Sequence, residues 1–218
     1  MEPADPAPLT VATLERGVTV LARRDAVLAR IVERFGTPPL WARPAGFATL
    51  VQIILEQQVS LASARAAFDR LAARVDPLTP GGLLELSDAD LLAVGFSRQK
   101  AHYARALAAA VGDGTLDLDG LARLDDERVE RELCAVPGIG PWTATIYRLM
   151  VLRRPDAWPA GDVALAQSLA ESSGRTVRPS PAEMLVLAEA WRPWRAVAAR
   201  ILWHGYLERR AARRVNGR

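Results

Sequence analysis

The sequence has little cysteine, histidine and lysine, and each shortage excludes a class of site. One cysteine among 218 residues rules out an internal disulfide framework and the thiolate set of an iron–sulfur cluster. It also rules out a zinc site built from two cysteines and two histidines. Chemistry that requires a lysine amine has a single candidate, Lys100, because every other basic side chain of this type is arginine.

Long apolar runs are also missing. No stretch reaches the ~18 consecutive apolar residues of a membrane-spanning helix. The segment from Met1 to Thr10 lacks the basic start and apolar core of a signal peptide. A hydrophobic fraction of 50% is ordinary for a folded domain. The sequence therefore predicts a soluble, cytoplasmic globular protein without a membrane partner.

Arginine is abundant, and its abundance has two explanations. Basic residues number 28 and acidic residues 25, so the formal net charge is only +3. Arginine suits the recognition of phosphates and bases, which favours a nucleic-acid partner. A GC-rich coding bias would enrich arginine, alanine, glycine and proline together. Composition alone does not decide between the two.

Apolar residues recur at helical spacing along most of the chain, and sustained strand-like alternation is missing. Ser60, Ser87 and Ser97 each precede such a segment, as helix N-caps do. Residues 11–35 are also compatible with helices, and prolines separate them from the rest. The sequence therefore predicts an all-α protein, with an amino-terminal helical segment at 1–45 packing on a body at 46–218. The clearest helix face comprises Phe47, Leu50, Val51, Ile54 and Leu55.

The strongest motif is a Pro-Gly-Ile-Gly-Pro turn between two amphipathic segments, within residues 136–142. Gly138 and Gly140 allow backbone torsions closed to other residues and keep side chains away from a ligand. A helix that begins at Pro141 offers amide groups and the positive end of its dipole. We therefore expect one phosphate to bind the amides of Gly138 and Gly140 and the amide or hydroxyl of Thr143. An ordinary helix–helix turn with a glycine cap explains the same residues.

Asp162 follows the hairpin by one helix and one loop rich in proline and glycine, and it stands at the start of another helix. From its position alone, Asp162 is an N-cap, which is a common role for aspartate. Glu56 is a weaker candidate for a second functional carboxylate beside Asp162.

Four motifs, in this order, resemble the helix–hairpin–helix superfamily of DNA base-excision glycosylases, and within it the 3-methyladenine DNA glycosylase II branch. The resemblance implies a two-lobed helical bundle with an active-site cleft between the lobes. The motifs are residues 54–60 (ILEQQVS), residues 96–101 (FSRQKA), the hairpin with Trp142, and residues 191–195 (WRPWR) leading to Trp203.

The resemblance assigns a role to particular side chains. Asp162 would be the catalytic carboxylate that stabilises an oxocarbenium-like transition state. Gln58 would enter the duplex where the damaged base leaves it. His204 stands where relatives carry a tyrosine, as does Ile146, so His204 is either a polar pocket wall or a histidine satisfied by its neighbours. The expected base-pocket residues are Trp142, Trp203, Gln57 and His204, and the expected DNA contacts are Gln58, Gly138, Gly140, Thr143 and Lys100.

The resemblance also implies an activity, namely hydrolytic removal of alkylated purines from double-stranded DNA. Bifunctional relatives carry a lysine where this chain has Trp142, so a monofunctional enzyme is expected. No cofactor is required, although the carbonyls of Cys134, Val136 and Ile139 are expected to hold Na⁺ or K⁺. The protein is expected to act as a monomer beside a bacterial nucleoid. Two alternatives stay open: a non-catalytic DNA-binding protein, and a glycosylase for another lesion such as uracil.

Overall fold

A computed structural model describes residues 7–216, and in that range every regular element is a helix. The predicted all-α fold is therefore confirmed. No helix of this part of the chain combines the length and apolar character needed to cross a bilayer. Residues 1–6 and 217–218, which belong to the predicted amino-terminal segment and body, lie outside the described residues. Most of the segment from Met1 to Thr10, which is predicted not to be a signal peptide, therefore lies outside them too.

The α-helices of the described residues are numbered in chain order, and two short 3₁₀ turns at Leu121–Arg123 and Glu189–Trp191 accompany them. They are α1 (Val11–Arg24), α2 (Ala26–Phe35), α3 (Phe47–Glu56), α4 (Leu61–Ala72), α5 (Pro80–Glu85), α6 (Asp88–Ala93), α7 (Arg98–Gly112), α8 (Asp126–Cys134), α9 (Pro141–Met150), α10 (Val163–Ser173), α11 (Pro181–Ala188) and α12 (Arg195–Asn216).

The helices form two compact units. One contains residues 43–152, and therefore α3 to α9; the other joins the residues up to 42 to those from 153 onward. The chain first passes from one unit to the other after residue 42, close to the predicted boundary after residue 45. The chain returns to its first unit after residue 152, so the predicted body at 46–218 is divided between both units. The sequence pattern did not indicate this return because the break falls in an ordinary loop.

The unit of residues 43–152 is built around α3. Seven of the ten α3 residues are buried, and the helix packs against α4, α7 and α9. The predicted N-caps are present here: Ser60 accepts a hydrogen bond from the amide of Ser63, and Ser97 accepts one from the amide of Lys100. Ser87 forms a reciprocal capping box with Asp90. These caps fix where α4, α6 and α7 begin.

The other unit is built around α12, which packs against α1, α2 and α10. Asp25 breaks the helical pattern of residues 11–35 into α1 and α2, because its carboxylate caps the amides of Val27 and Leu28. Arg200 lies wholly buried, and its Nε donates to the carbonyl of Leu40 at 2.8 Å. Burial lowers the pKa of Arg200 to about 10.

Candidate active site

Glycine suits the two hairpin positions for different structural reasons. Gly138 has a φ of +89°, and a Cβ placed there would lie 2.0 Å from Cγ of Tyr103 on α7. No other residue fits that position without displacing the aromatic ring. Gly140 is the N-cap of α9, with ordinary extended torsions, and a Cβ there would have no heavy atom within 4 Å. Gly138 therefore seats the hairpin, whereas Gly140 keeps the space before α9 open.

The hairpin can supply donors to an anion through its backbone. Gly140 gives α9 no side-chain cap, so the N-cap residue places no side chain between a ligand and the positive end of the helix dipole. Within residues 7–216, neither the Gly138 amide nor the Gly140 amide donates a hydrogen bond. The Thr143 side chain is buried, with the residue only 2% exposed. The two glycine amides are therefore better placed for a phosphate than the Thr143 hydroxyl.

Gln57 connects the end of α3 to the hairpin. Its Nε2 donates to the carbonyl of Gly138 at 2.9 Å and to Oγ1 of Thr143 at 3.0 Å. Both amide protons are thereby used, so Gln57 can offer a ligand only its Oε1 acceptor. Gln58 is exposed and adopts a left-handed φ of +57°. The left-handed turn therefore separates an anchored glutamine from an exposed one.

Lys100 lies against the carboxyl end of α3. Its Nζ donates to the carbonyl of Leu55 at 2.6 Å, which satisfies one of the acceptors left open at a helix end. Partial burial lowers the pKa of the Lys100 ammonium. The ammonium retains further protons for a phosphate, and the predicted DNA contact stays a prediction.

Three other residues of this unit bear on the predicted site. Glu56 accepts a hydrogen bond from Arg43 at 3.0 Å within an ion pair whose carboxylate is 9% exposed. The ion pair gives Glu56 a structural partner, and its role as a second carboxylate stays a prediction. Trp142 lies in the first turn of α9 and is half-buried, and Ile146 is buried one turn later. The pocket role of Trp142 stays a prediction.

Asp162 is the N-cap of α10, as its position suggested. Its Oδ1 accepts hydrogen bonds from the amide of Leu165 at 3.0 Å and from Nε1 of Trp203 at 3.3 Å. The first donor belongs to α10 and the second to α12. The preceding Gly161 has a φ of +80°, and a Cβ placed there would have no heavy atom within 4 Å. A carboxylate held from two helices, beside an open backbone turn, suits contact with a ligand.

His204 has partners within its own unit. One imidazole nitrogen, Nε2, lies 2.9 Å from the carbonyl of Phe35, and the ring meets Phe35 and Trp41 edge-on at centroid distances of 6.5 and 6.3 Å. These contacts account for one ring nitrogen and the ring edges, and the pocket role of His204 stays a prediction.

Two contacts at the site were not predicted from the sequence. They are the hydrogen bond from Trp203 to Asp162 and the close packing of Tyr103 against Gly138. The two residues of each pair are far apart along the chain, so no local pattern indicates the contact.

The helices, the hairpin and the capped aspartate together define a helix–hairpin–helix protein. Residues 51–196 match the model of the HhH-GPD superfamily of base excision DNA repair proteins. The chain belongs to that superfamily, and the resemblance found in its motifs is confirmed.

Named relatives make the comparison more specific. The chain is 32% identical over 165 residues to DNA-3-methyladenine glycosylase 2 of Escherichia coli, covering 71% of this chain and 55% of the relative. Its fold is similar to the crystal structure of a DNA-3-methyladenine glycosidase from Bacillus halodurans, with a TM-score of 0.70. The two sequences are 30% identical, and the match covers 87% of this chain and 88% of that one. The fold is also similar to that of 3-methyladenine DNA glycosylase from Schizosaccharomyces pombe in complex with abasic DNA. That pair is 24% identical with a TM-score of 0.82, covering 86% of this chain and 95% of the other.

The chain is shorter than several curated relatives. It spans 64% of the length of two Bacillus subtilis proteins that it matches, as well as 55% of the Escherichia coli relative.

Proposed function

We propose that this protein is a monofunctional DNA glycosylase that hydrolyses the bond between deoxyribose and an alkylated purine, leaving an abasic site. The observation that carries the proposal is the Asp162 carboxylate, held on Oδ1 by donors from α10 and α12 in a member of a base-excision superfamily. Relatives named as 3-methyladenine glycosylases support the substrate class.

Binding to duplex DNA would begin at the hairpin. The amides of Gly138 and Gly140 and the amino end of α9 offer a backbone site for one phosphate. Gln58, exposed in its left-handed turn, would fill the space that the extruded base leaves. The damaged nucleotide has to leave the stack before its glycosidic bond becomes accessible. Double-stranded DNA with damaged bases is thus the proposed partner, and a monomer is the proposed acting unit. The proposed location beside the nucleoid follows only from DNA being the proposed substrate.

The chemical step needs a negative charge beside the sugar. As the C1′–N bond breaks, its electron pair leaves with the base and positive charge develops on the deoxyribose. The Asp162 carboxylate would stabilise that charge and orient the water whose oxygen bonds to C1′. The proton released by the water would pass to the carboxylate or to solvent. An alkylated purine is already cationic and leaves as a neutral base, so the reaction needs no second carboxylic acid.

A lyase step is not expected. It would require an amine that attacks C1′ and forms a Schiff base. The chain has one lysine, and its Nζ is held on the carbonyl of Leu55. The position of the family's lysine nucleophile is Trp142, whose ring would instead stack on a cationic base.

We expect a monovalent cation at the start of the hairpin. The carboxyl end of α8 presents the negative end of a helix dipole at Cys134. The Val136 carbonyl accepts the Ile139 amide at 3.1 Å and keeps a second lone pair. Burial raises the pKa of the Cys134 thiol, so its carbonyl is the expected ligand. The carbonyls of Cys134, Val136 and Ile139 would hold Na⁺ or K⁺, which would add positive charge towards a bound phosphate.

The decisive experiment compares two aspartates that occupy similar positions. Asp25, like Asp162, caps a helix and accepts a hydrogen bond from a tryptophan indole. Asp162→Asn is expected to bind DNA normally while release of 3-methyladenine falls by orders of magnitude, and Asp25→Asn should retain base release. Equal base release by wild type and Asp162→Asn would mean that Asp162 is only a cap. The Leu165 bond is sufficient for a capping role. DNA binding without any base release by the wild type would favour the non-catalytic DNA-binding alternative.

The lesion class needs a separate measurement. Duplexes with a single methylated purine, hypoxanthine, ethenoadenine or uracil should be scored for base release. We expect the methylated purines to react fastest, since their cationic bases leave without protonation. Preferential release of uracil would replace the substrate class proposed here.

A further inference from the structure

Trp203 donates a hydrogen bond to the carboxylate that the proposed reaction uses. Its Nε1 lies 3.3 Å from Oδ1 of Asp162. The Leu165 amide approaches the same oxygen at 3.0 Å. Since α12 and α10 pack against each other within one unit, the indole adds a constraint that the helix cap alone does not supply.

A second aspartate–tryptophan pair in the same unit shows a different arrangement. At Asp25, the amides of Val27 and Leu28 bind Oδ1, whereas Nε1 of Trp191 binds Oδ2 at 2.8 Å. Both oxygens of Asp25 therefore serve the fold, and Trp191 is buried. At Asp162 the amide and the indole converge on one oxygen. Trp203 is also only half-buried.

We propose that Trp203 is a positioning residue, whose indole N–H fixes the rotation of the Asp162 carboxylate towards the developing cation. The inference rests on the proposed function of Asp162. The cap amide and the indole N–H reach the same oxygen from two different helices, and this second, charge-assisted hydrogen bond restricts rotation of the carboxylate about the cap contact. Electrostatic stabilisation of a transition state depends on such fixed geometry. This role is separate from the expected stacking of Trp203 on the base, which uses the ring face.

Two abasic analogues separate positioning from stacking. One duplex carries a pyrrolidine in place of the damaged nucleoside's sugar, and its ammonium stands for the developing positive charge. The other carries the neutral tetrahydrofuran. Neither has a base, so stacking cannot alter the ratio of their dissociation constants. That ratio therefore measures how well the carboxylate meets a cation.

Trp203→Phe is expected to reduce the preference for the pyrrolidine by roughly tenfold, given the usual strength of hydrogen bonds to charged groups. In an Asp162→Asn background, the same substitution should leave the ratio unchanged. Affinity for the tetrahydrofuran duplex reports whether each variant is folded. Replacement of Trp203 by β-(3-benzothienyl)alanine, which keeps the bicyclic shape and lacks the N–H, should reproduce the effect of Trp203→Phe even if phenylalanine disturbs packing.

The outcomes distinguish two failures. If Asp162→Asn lowers the ratio but neither Trp203 replacement does, Trp203 only lines the pocket and the inference is wrong. The inference is also wrong if Trp203→Phe lowers the ratio equally in the Asp162→Asn background. If Asp162→Asn itself leaves the ratio unchanged, the proposed function of Asp162 fails first.

Discussion

Tyr103 occupies the space that any side chain at position 138 would need. A Cβ on Gly138 would lie 2.0 Å from Cγ of the tyrosine ring, and the glycine has a φ of +89°. The hairpin therefore depends on α7 for its conformation, although Tyr103 lies 35 residues earlier in the sequence (138 − 103).

Gly138→Ala should destabilise the fold by about 1–3 kcal/mol, since overpacking displaces the tyrosine ring and the backbone is strained. Thermal or denaturant unfolding measures the change. Tyr103→Ala in the same chain should recover part of the stability, because it removes the clash but not the torsional strain. A Gly138→Ala protein as stable as wild type would contradict the close contact.

Gly140→Ala should separate DNA binding from stability. Its φ of −95° and ψ of 176° suit alanine, and the Cβ enters open space, so the free energy of unfolding should fall by no more than about 1 kcal/mol, the difference between glycine and alanine as an N-cap. The added methyl lies where a phosphate is expected to approach. Affinity for duplex DNA should fall, with a smaller dependence on salt because a phosphate contact is lost. Unaltered affinity would argue against the hairpin as the phosphate site.

Gln57→Glu should loosen the link between α3 and the hairpin. The amide donates to the Gly138 carbonyl and to Thr143; a carboxylate would face the carbonyl without a proton to donate. We expect a loss of about 1–3 kcal/mol in unfolding free energy, together with weaker DNA binding. Gln58→Glu, at the next and exposed residue, is a suitable comparison for stability. Similar losses of stability in both variants would show a general effect of negative charge at the end of α3.

Sequence patterns predicted the helices well because caps and apolar spacing are local. Ser60, Ser87 and Ser97 each cap the expected helix. The chain's return to its first unit at residue 153 was not predicted, since it depends on packing against α1 and α2 rather than on the loop itself.

The candidate site divides in the same way. Asp162 and the glycines could be identified because a cap and a Gly-x-Gly turn are local signals. The partners that fix them could not, because the indole of Trp203 is 41 residues from Asp162. His204 illustrates the limit most clearly. Its partner, the Phe35 carbonyl, lies in a helix that the sequence could place only as part of an amino-terminal segment.

Lys100 should make stability depend on pH in the alkaline range. Burial lowers its folded-state pKa below the ordinary value of 10.5. The folded protein therefore binds fewer protons than the unfolded chain between those two values, and stability contributed at this position rises with pH across that window. Lys100→Met should lack the rise. Partial exposure limits its size, so unfolding curves of both proteins need comparison at matched pH. A wild type that loses stability relative to Lys100→Met across that window would reverse the predicted sign.

Lys100 also provides the test of monofunctional chemistry. A lyase forms a Schiff base between an amine and C1′ of the abasic sugar, and borohydride reduces that intermediate to a stable covalent adduct. With the only lysine held on the Leu55 carbonyl, we expect no adduct after incubation with an abasic duplex and borohydride. A known bifunctional glycosylase should be trapped under the same conditions. If this protein is trapped as well, Lys100→Met identifies the amine: loss of the adduct would assign a nucleophilic role to Lys100, and persistence would point to another amine. Either adduct would contradict the hydrolytic mechanism.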